Sequence, residues 1–311
     1  MTRGMRILVT GSSGHFAAAL LPALCALHEV REVRGIDFRP PRFRHEKFRA
    51  VVRDIRDPVL IDAMTGCDAL VHLAFVVLRG RTSERAMREI NISGTGHLFA
   101  TARRCGVTRL VMLSSAAVYG SGVNVDEEAA YDPLPGFLYA RHKIEVEQHL
   151  ESEFPECVRL RPHAILGPHA QPLLRRLLQQ PFYLRLADPH PLLQCVHEDD
   201  VARAVLLALM SQVRGPFNLA SPDTFSFRDA IARDGRFSIA LRPGIARAAF
   251  KAAWRLSGWG GEPAWLEGLA RPLVLDCTRA AKELGWQAHY SAAAAIRSIG
   301  AAGAKELAAV P

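Results

Sequence analysis

Several features that would assign the chain to a particular class are missing from its 311 residues. No uncharged apolar run reaches about eighteen residues, so no membrane span is predicted. The N-terminus enters its first apolar segment at once, which leaves no room for a signal peptide, and we expect a cytoplasmic protein. The six cysteines form no C-x-x-C pair and are expected to be reduced and buried. No histidine spacing typical of a metal site occurs, so no metal is predicted.

Lysine is also scarce, with five residues among the 39 basic ones. The net charge of +8 therefore comes from arginines, which are scattered rather than gathered in a block. Aromatic residues do not alternate with them. This pattern argues against nucleic-acid binding. We interpret the positive charge instead as attracting an anionic cofactor or substrate.

What the chain does contain, at residues 5–19, is a short apolar strand followed by a glycine turn and the start of a helix. Gly11 permits backbone angles that a side chain forbids, and Gly14 lets the main chain approach a ligand closely. The pattern is G-x-x-G-x-x-A, with the small Ala17 in third place. The first N–H groups of such a helix favour an anion, and a dinucleotide pyrophosphate fits. An ordinary tight turn is the alternative.

A second predicted strand, 33–37, ends in Asp37, about twenty residues past the glycines, where a carboxylate accepts hydrogen bonds from an adenosine ribose. Strands alternate with helices through most of the chain. This alternation predicts an α/β fold with a doubly wound parallel sheet of the Rossmann type, whose ligands bind at the carboxyl ends of the strands. The other predicted strands are 48–52, 69–74, 109–113, 157–161 and 194–196.

The alternation weakens beyond about residue 165, where prolines separate short helices. We predict a cofactor-binding Rossmann domain, 1–165 plus about 191–220. A smaller, mostly helical C-terminal substrate lobe, about 166–190 and 221–311, is predicted to close over the cofactor. Core packing of small helices is one explanation for the bulky apolar residues of this lobe, and contact with an apolar substrate is another. These residues are Phe182, Tyr183, Phe250, Trp254, Trp259 and Trp265.

Polar residues on two predicted helices have structural interpretations. Asn91, in a long helix at 82–105, is expected to tie that helix to the active-site backbone. Asp199 and Asp200 are expected to cap the helix that follows them rather than to bind a metal.

Tyr139 and Lys143 lie four residues apart on one face of a predicted helix at 139–154. A nearby ammonium stabilises a phenolate and lowers the pKa of the tyrosine. Tyr139 could then act as a general base for a substrate hydroxyl or as an acid for a carbonyl. Ser115, at the end of a predicted strand, could hydrogen-bond the same oxygen. A surface helix with a stray pair is the alternative, but the glycine turn and Ser115 favour catalysis.

These motifs together resemble the extended short-chain dehydrogenase/reductases, also described as the NAD-dependent epimerase/dehydratase family. The resemblance covers nearly the whole chain, and it implies hydride transfer by a catalytic triad of Ser115, Tyr139 and Lys143 in a homodimer. Asp37 should repel a 2′-phosphate, so NAD is expected rather than NADP, although Arg39 could soften this preference. The implied cofactor-binding residues are Gly11, Ser13, Gly14, His15, Phe16, Asp37, Asp54, Ile55, Leu73, Ala74, Asn91, Ser114, Tyr139, Lys143 and Pro162.

The substrate-binding residues that we expect are Ser115, Tyr119, His163 and Ala164. Tyr119 is expected to be structural or substrate-lining rather than the base, because no lysine follows it at the fourth position. His163 is as well explained as a buried histidine with satisfied hydrogen bonds.

Departures from the resemblance bear on the substrate. Ala116 and Ala117 stand where the family's dehydratases carry an acidic pair, and Ala164 stands where its epimerases have an asparagine. We therefore expect an oxidoreductase acting on a secondary alcohol or ketone that is not a nucleotide sugar. Two alternatives stay open: a nucleotide-sugar epimerase with tightly bound NAD, and a non-catalytic NAD(H)-binding regulatory protein.

Overall fold

A computed structural model describes most of the chain, and its centre is a sheet of seven parallel strands. The described residues are 4–78, 80, 82–179, 182–185, 190–226, 228, 230, 237–240, 244–245, 248–252 and 264–299. Their strands are β1 (Met5–Thr10), β2 (Val30–Asp37), β3 (Phe48–Val52), β4 (Ala69–His72), β5 (Arg109–Leu113), β6 (Gly122–Val125), β7 (Val158–Pro162), β8 (Ile165–Leu166), β9 (Phe182–Arg185), β10 (Val196–His197), β11 (Gly215–Leu219), β12 (Phe237–Ala240) and β13 (Leu273–Leu275).

The strand order in the main sheet is β11-β7-β5-β4-β1-β2-β3. Because each pair is parallel, the carboxyl ends of all seven strands meet at one edge. The helices are α1 (Ala17–Ala26), α2 (Leu60–Met64), α3 (Glu84–Arg88), α4 (Thr95–Arg104), α5 (Leu138–Glu153), α6 (Pro172–Gln179), α7 (Glu198–Met210), α8 (Ala264–Gly268), α9 (Thr278–Glu283) and α10 (Ala292–Ser298).

Helices cover both faces of this sheet. Ile7 and Val9 of β1 pack with α1 and α7, whereas Leu8 between them packs on the other face with α2, α4 and α5. A strand buried on both faces needs an unbroken apolar run, because successive side chains point to opposite sides. The predicted α/β fold with a doubly wound parallel sheet is confirmed. Within the described residues, no helix combines the length and the apolarity needed to cross a membrane.

The prediction of a main-sheet strand at 194–196 is wrong. Val196–His197 pairs instead with Ile165–Leu166 in a separate two-stranded sheet. The edge strand of the main sheet is Gly215–Leu219, which the sequence analysis missed. Glycine and proline at its start are rare in strands, but a proline is tolerated at a sheet edge, where its missing N–H is not needed.

The end of the described chain packs back onto the main sheet. Trp286 is buried in the core beneath α7, and its indole Nε1 donates to the carbonyl of Asp200 at 2.8 Å. The carboxylate of Asp200 accepts from the backbone N–H groups of His289 and Tyr290. The expected capping by Asp199 and Asp200 is therefore wrong. His197 caps the helix, and its Nδ1 accepts from the N–H of Asp199 at 3.1 Å.

Candidate active site

The glycine turn after β1 lies against the ends of its neighbouring strands. Gly11 has a φ of +71°, and a Cβ there would lie 2.7 Å from the backbone nitrogen of Ala74 and 2.9 Å from the carbonyl carbon of Leu73. Its N–H donates to the carbonyl of Ile36 at 2.8 Å, and the N–H of Gly14 donates to the carbonyl of Gly11 at 2.9 Å. Both the positive φ and the close approach require glycine at position 11.

The helix that follows this turn begins without a side-chain cap. In the described part of the chain, its N-cap residue Phe16 makes no side-chain cap hydrogen bond, and its first turn contains no acidic residue. Such an N-terminus favours an anion through its N–H groups and the helix dipole. Burial and then the nearby Arg39, Arg175 and His169 lower the pKa of His15. Several cationic side chains therefore surround the start of α1.

Asp37 is fixed at the end of β2 beside the same turn. Its side chain is 5% exposed. Its Oδ2 accepts from the N–H of Ser13 and its Oδ1 from the N–H of Arg39, both at 3.0 Å. The hydroxyl of Ser13 closes this arrangement by donating to the carbonyl of Arg39 at 2.8 Å. Each carboxylate oxygen keeps a further lone pair, so Asp37 could accept from ribose hydroxyls.

Asp54 and Ile55 lie after β3, farther along the same edge. The carboxylate of Asp54 accepts from Arg56 at 2.7 and 2.9 Å, and these hydrogen bonds lower its pKa. Ile55 is buried, and its Cδ1 would lie 3.0 Å from a Cβ added at Gly94. The cofactor contacts of both residues stay predictions.

A directed chain of hydrogen bonds supports the ends of β1 and β4. The hydroxyl of Thr95 donates to the carbonyl of Asn91 at 2.7 Å, so it must accept from Nε2 of His72, 2.9 Å away. His72 Nδ1 then accepts from the hydroxyl of Thr10 at 2.7 Å, which in turn accepts from the N–H of Ala74 at 3.3 Å. Burial lowers the pKa of His72 to about 3, which keeps the imidazole neutral.

Asn91 lies in a π-helical segment, Glu89–Gly94, within the helix predicted at 82–105. Its Oδ1 accepts from the N–H of Val76 at 2.7 Å, and its Nδ2 donates to the carbonyl of Val76 at 3.1 Å. Nδ2 also lies 3.3 Å from Nδ1 of His142. The predicted tie between this helix and the active-site backbone is confirmed, whereas a cofactor contact of Asn91 stays a prediction.

The structure brings Ser115, Tyr139 and Lys143 together at the end of β5. Burial raises the pKa of Tyr139 to about 12, against the opposing effect of a hydrogen bond with the Ser115 side chain. Lys143 Nζ donates to the carbonyl of Leu113 at 2.6 Å and lies 3.6 Å from the ring centroid of Phe75. Burial lowers the pKa of Lys143 to about 7. The shift of the Tyr139 pKa is thus opposite to the expected lowering, because burial outweighs the hydrogen bond with the Ser115 side chain.

Aromatic rings enclose Tyr139. The ring of Phe75 meets it edge-on at 5.8 Å, and that of Phe137 lies 5.6 Å away at 45°. Trp265, from α8, stacks on Tyr139 at 5.8 Å and 29°. Trp265 was singled out in the sequence as one of several bulky residues. The side chains of Phe182, Tyr183, Trp254 and Trp259 lie outside the described residues.

Two other predicted site residues belong to a buried polar network. The hydroxyl of Ser114 donates to Oε1 of Glu147. Tyr119 is 2% exposed, and its hydroxyl donates to Oδ1 of Asn218 at 2.9 Å while accepting from Nη1 of Arg161 at 2.6 Å. Neither hydroxyl has a proton left to donate to a ligand in this arrangement. Substrate contact by Tyr119 therefore gains no support, and its structural alternative fits the contacts.

Glu147 is the centre of this network, and the sequence analysis missed it. Its side chain is fully buried and pairs with Arg161, whose Nη2 lies 2.6 Å from Oε2. Tyr131 donates to the same oxygen at 3.2 Å. The available signal was helical spacing. Glu147 follows Lys143 by four residues, just as Lys143 follows Tyr139.

The segment after β7 carries the remaining predicted residues. Pro162 ends this strand opposite Leu219, and the N–H of His163 donates to the carbonyl of Leu219 at 2.9 Å. His163 Nδ1 accepts from the N–H of Ala164 at 2.8 Å, and a backbone hydrogen bond at Leu273 acts on the ring against the effect of burial. Burial lowers the pKa of His163 to about 4, so the ring is neutral. Substrate contacts of His163 and Ala164 stay predictions.

A parallel doubly wound sheet whose first strand leads into a glycine turn and an uncapped helix defines a Rossmann-type protein. Residues 7–220 match the NAD dependent epimerase/dehydratase family. The chain belongs to this family, which confirms the resemblance found in the sequence.

Comparison with curated proteins finds distant relatives. An uncharacterized protein of Mycobacterium tuberculosis is 30% identical over 278 residues, covering 84% of this chain and 28% of that protein. The chain thus spans little more than a quarter of that relative. A 3-beta-hydroxysteroid dehydrogenase of Mycolicibacterium neoaurum is 31% identical over 189 residues, covering 56% of this chain and 51% of that enzyme.

Solved structures of similar fold include NAD complexes. UDP-glucuronic acid 4-epimerase from Bacillus cereus in complex with NAD has a TM-score of 0.77 at 21% identity, covering 97% of this chain and 99% of that one. A short-chain dehydrogenase/reductase superfamily protein from Agrobacterium tumefaciens with bound NAD has a TM-score of 0.72 at 21% identity, covering 97% and 98%. At this level of identity the likeness shows the fold.

Proposed function

We propose that the protein is an NAD-dependent oxidoreductase that transfers hydride between the nicotinamide and a secondary alcohol or ketone that is not a nucleotide sugar. The observation that carries this proposal is the placement of Tyr139 between Ser115 and Lys143 at the carboxyl edge of the sheet. Ligands of doubly wound sheets bind at that edge.

The described residues fit a dinucleotide at this edge. Gly11 leaves no room for a side chain beside Ala74, and the uncapped start of α1 offers N–H groups for a pyrophosphate. Asp37 offers lone pairs for the adenosine ribose and would repel a 2′-phosphate, which favours NAD over NADP. The NAD complexes of similar fold support this assignment.

Proton transfer would proceed through Tyr139. A phenol with a pKa of about 12 holds its proton at neutral pH, so it can protonate a ketone oxygen in the reducing direction. The Ser115 hydroxyl would donate a second hydrogen bond to that oxygen. When bound, the reduced nicotinamide supplies the hydride to the carbonyl carbon, which completes the alcohol. Lys143 would hold the nicotinamide ribose and stabilise the phenolate that remains.

The substrate assignment depends on missing polar groups. Ala116 and Ala117 provide no acid to expel water, and Ala164 provides no amide for a nucleotide sugar. Aromatic rings cover Tyr139, with Trp265 contributed by the C-terminal lobe proposed for residues 166–190 and 221–311. The likeness to a hydroxysteroid dehydrogenase supports an apolar substrate.

A nucleotide-sugar epimerase is the second candidate. Solved structures of similar fold include a UDP-glucuronic acid 4-epimerase and a dTDP-glucose 4,6-dehydratase, which favours it. An epimerase would retain NAD and return the hydride to its substrate. A purely regulatory NAD(H)-binding protein would not need Ser115, Tyr139 and Lys143 close together at the end of β5.

The test is a substrate screen that follows nicotinamide absorbance in the wild type and in Tyr139→Phe. The panel contains hydroxysteroids, aryl and aliphatic ketones and alcohols, and UDP-, GDP- and dTDP-sugars, each with NAD(H) and with NADP(H). We expect a Tyr139-dependent signal with an apolar ketone or alcohol. No net absorbance change together with an isomerised sugar nucleotide would establish the epimerase instead. Light scattering on the same samples tests the proposed homodimer.

A further inference from the structure

Trp265 lies against the ring of Tyr139, although it is far along the chain in α8. Its ring stacks on that of Tyr139 with a centroid distance of 5.8 Å, and it meets the ring of Phe137 edge-on at 5.0 Å. Offset stacking and edge-on contact are the arrangements that aromatic pairs favour. A substrate that packs beside the ring of Tyr139 would therefore meet the indole as well.

The indole of Trp265 also carries an unused donor. Its Nε1 is buried and has no hydrogen-bond partner among the described residues. A buried tryptophan N–H normally has a partner. Trp286 shows the usual arrangement, because its Nε1 donates to the carbonyl of Asp200 at 2.8 Å. Stacking explains the position of the Trp265 ring, but it leaves the donor unexplained.

Among the described residues, Trp265 packs in a hydrophobic cluster. Tyr139, Phe137 and the partly buried Trp265 belong to one hydrophobic cluster, together with Phe75, Val76, Val77, Met87, Leu134, Leu138, Ala117, Ala140 and Ala264. The polar groups at Tyr139 are the Ser115 hydroxyl and the Lys143 ammonium, which the proposed reaction already uses. An additional donor would therefore bind a different oxygen of the substrate.

We propose that Trp265 is a specificity-determining residue that contacts the substrate. Its ring packs against an apolar, ring-shaped substrate body, and its N–H donates to a second oxygen, away from the reacting carbonyl. The substrate class is thus an alicyclic or aromatic ketone, or its alcohol, that carries one further oxygen. This inference rests on the proposed function and deepens it.

The experiment compares a saturated fused-ring diketone with the monoketone of the same carbon skeleton. Wild type, Trp265→Phe and Tyr139→Phe are assayed as full chains with NADH by nicotinamide absorbance. Phenylalanine keeps an aromatic ring at position 265 and removes the N–H. We expect the wild type to prefer the diketone by about ten-fold in kcat/KM, the worth of one hydrogen bond, mainly through KM. In Trp265→Phe this ratio should fall to about one.

The outcomes separate this inference from the proposed function. Tyr139-dependent turnover with the same diketone preference in the wild type and in Trp265→Phe would overturn the role of Trp265 alone. Absence of Tyr139-dependent turnover of either ketone would overturn the proposed function, and this inference with it. If Trp265→Phe does not fold, the wild type still decides, because equal kcat/KM for the two ketones contradicts a second hydrogen bond.

Discussion

Tyr119 and Tyr139 are two buried tyrosines whose surroundings are opposite in character. Burial raises the pKa of both phenols to about 12. The Tyr119 hydroxyl lies in a network of charges and amides, where Arg161 donates to it and Asn218 accepts from it. Tyr139 lies among aromatic rings. Within the described residues, its hydrogen-bond partner is the Ser115 side chain. A shifted pKa therefore does not by itself distinguish the two tyrosines, whereas their hydrogen-bond partners do.

One helix separates the two surroundings. Tyr139, Lys143 and Glu147 follow one another at four-residue steps on α5. Near Tyr139, this face of α5 packs against apolar rings. Farther along the helix, at Glu147, it carries the ion pair with Arg161. The ion pair at Glu147 holds α5 in place, and apolar rings surround Tyr139, the proposed general acid.

The largest expected effect comes from removing each hydroxyl in turn. Tyr139→Phe should lower kcat by about 100- to 10,000-fold, the usual worth of general acid catalysis, with little loss of stability. Tyr119→Phe should leave kcat nearly unchanged and lower the free energy of unfolding by about 1–3 kcal/mol, because Asn218 and Arg161 each lose one hydrogen-bond partner. Urea denaturation and steady-state kinetics on both variants check this. Equal losses of kcat in the two variants would remove the distinction.

The next effect concerns the ion pair beneath Tyr119. Arg161→Met should lower the free energy of unfolding by about 3–5 kcal/mol, because it leaves the buried Glu147 carboxylate without its main partner. Arg56→Met is the matched control: Arg56 pairs with Asp54 at the surface, and its side chain is 42% exposed, so a change within about 1 kcal/mol is expected. Urea denaturation of both variants measures the difference, and similar values would contradict a structural role for the network.

Lys143 sharpens the comparison through pH. Its pKa is lowered to about 7 in the folded protein from an ordinary value of 10.5, so between these values the unfolded chain binds more protons. The stability of the wild type should therefore rise with pH across this window, by up to about 1.4 kcal/mol per pH unit relative to Lys143→Met. Urea denaturation of both proteins at several pH values tests this. A constant difference would show that Lys143 is not desolvated.

The smallest effect concerns the cofactor. Asp37→Asn removes the charge that would repel a 2′-phosphate, so the preference for NAD over NADP in kcat/KM should fall about ten- to a hundred-fold, the range for a hydrogen bond to a charged group. Asp54→Asn serves as the control, because an adenine contact is common to both cofactors. Kinetics with each cofactor decide, and an unchanged ratio in Asp37→Asn would contradict the assignment of the ribose site.

Local sequence patterns were sufficient to predict the glycine turn, six of the seven strands of the main sheet and the Ser115, Tyr139 and Lys143 set. They failed where a partner comes from a distant part of the chain. The Tyr139 pKa is raised by burial, and Phe75 and Trp265, which lie against Tyr139, are distant from it in the sequence. The hydrogen bond from Ser114 to Glu147 likewise joins residues that are distant in the sequence, so local patterns did not predict it.

The two errors in the strands of the main sheet have related causes. Residues 194–196 are apolar enough for a main-sheet strand, but the position opposite β7 is taken by Gly215–Leu219. That strand carries a glycine, a proline and the fully buried Asn218, whose amide donates to the carbonyls of Val125 and Asp276 at 3.0 and 3.1 Å. Its pattern is unlike that of an apolar strand, because its polar side chain serves a network that the sequence does not reveal.

The π-helical segment at Glu89–Gly94 has a consequence for chain length. A π turn holds about one residue more than an α turn, and each residue of an α-helix advances the side chains by about 100°. Deleting one residue here would restore regular winding but rotate one half of the helix against the other. Asn91 could then no longer hold Val76 while Leu98 and Phe99 stay in the core. The extra residue thus acts as an angular spacer that lets one helix serve both the active-site edge and the interior, and this helix should tolerate substitutions better than single-residue deletions.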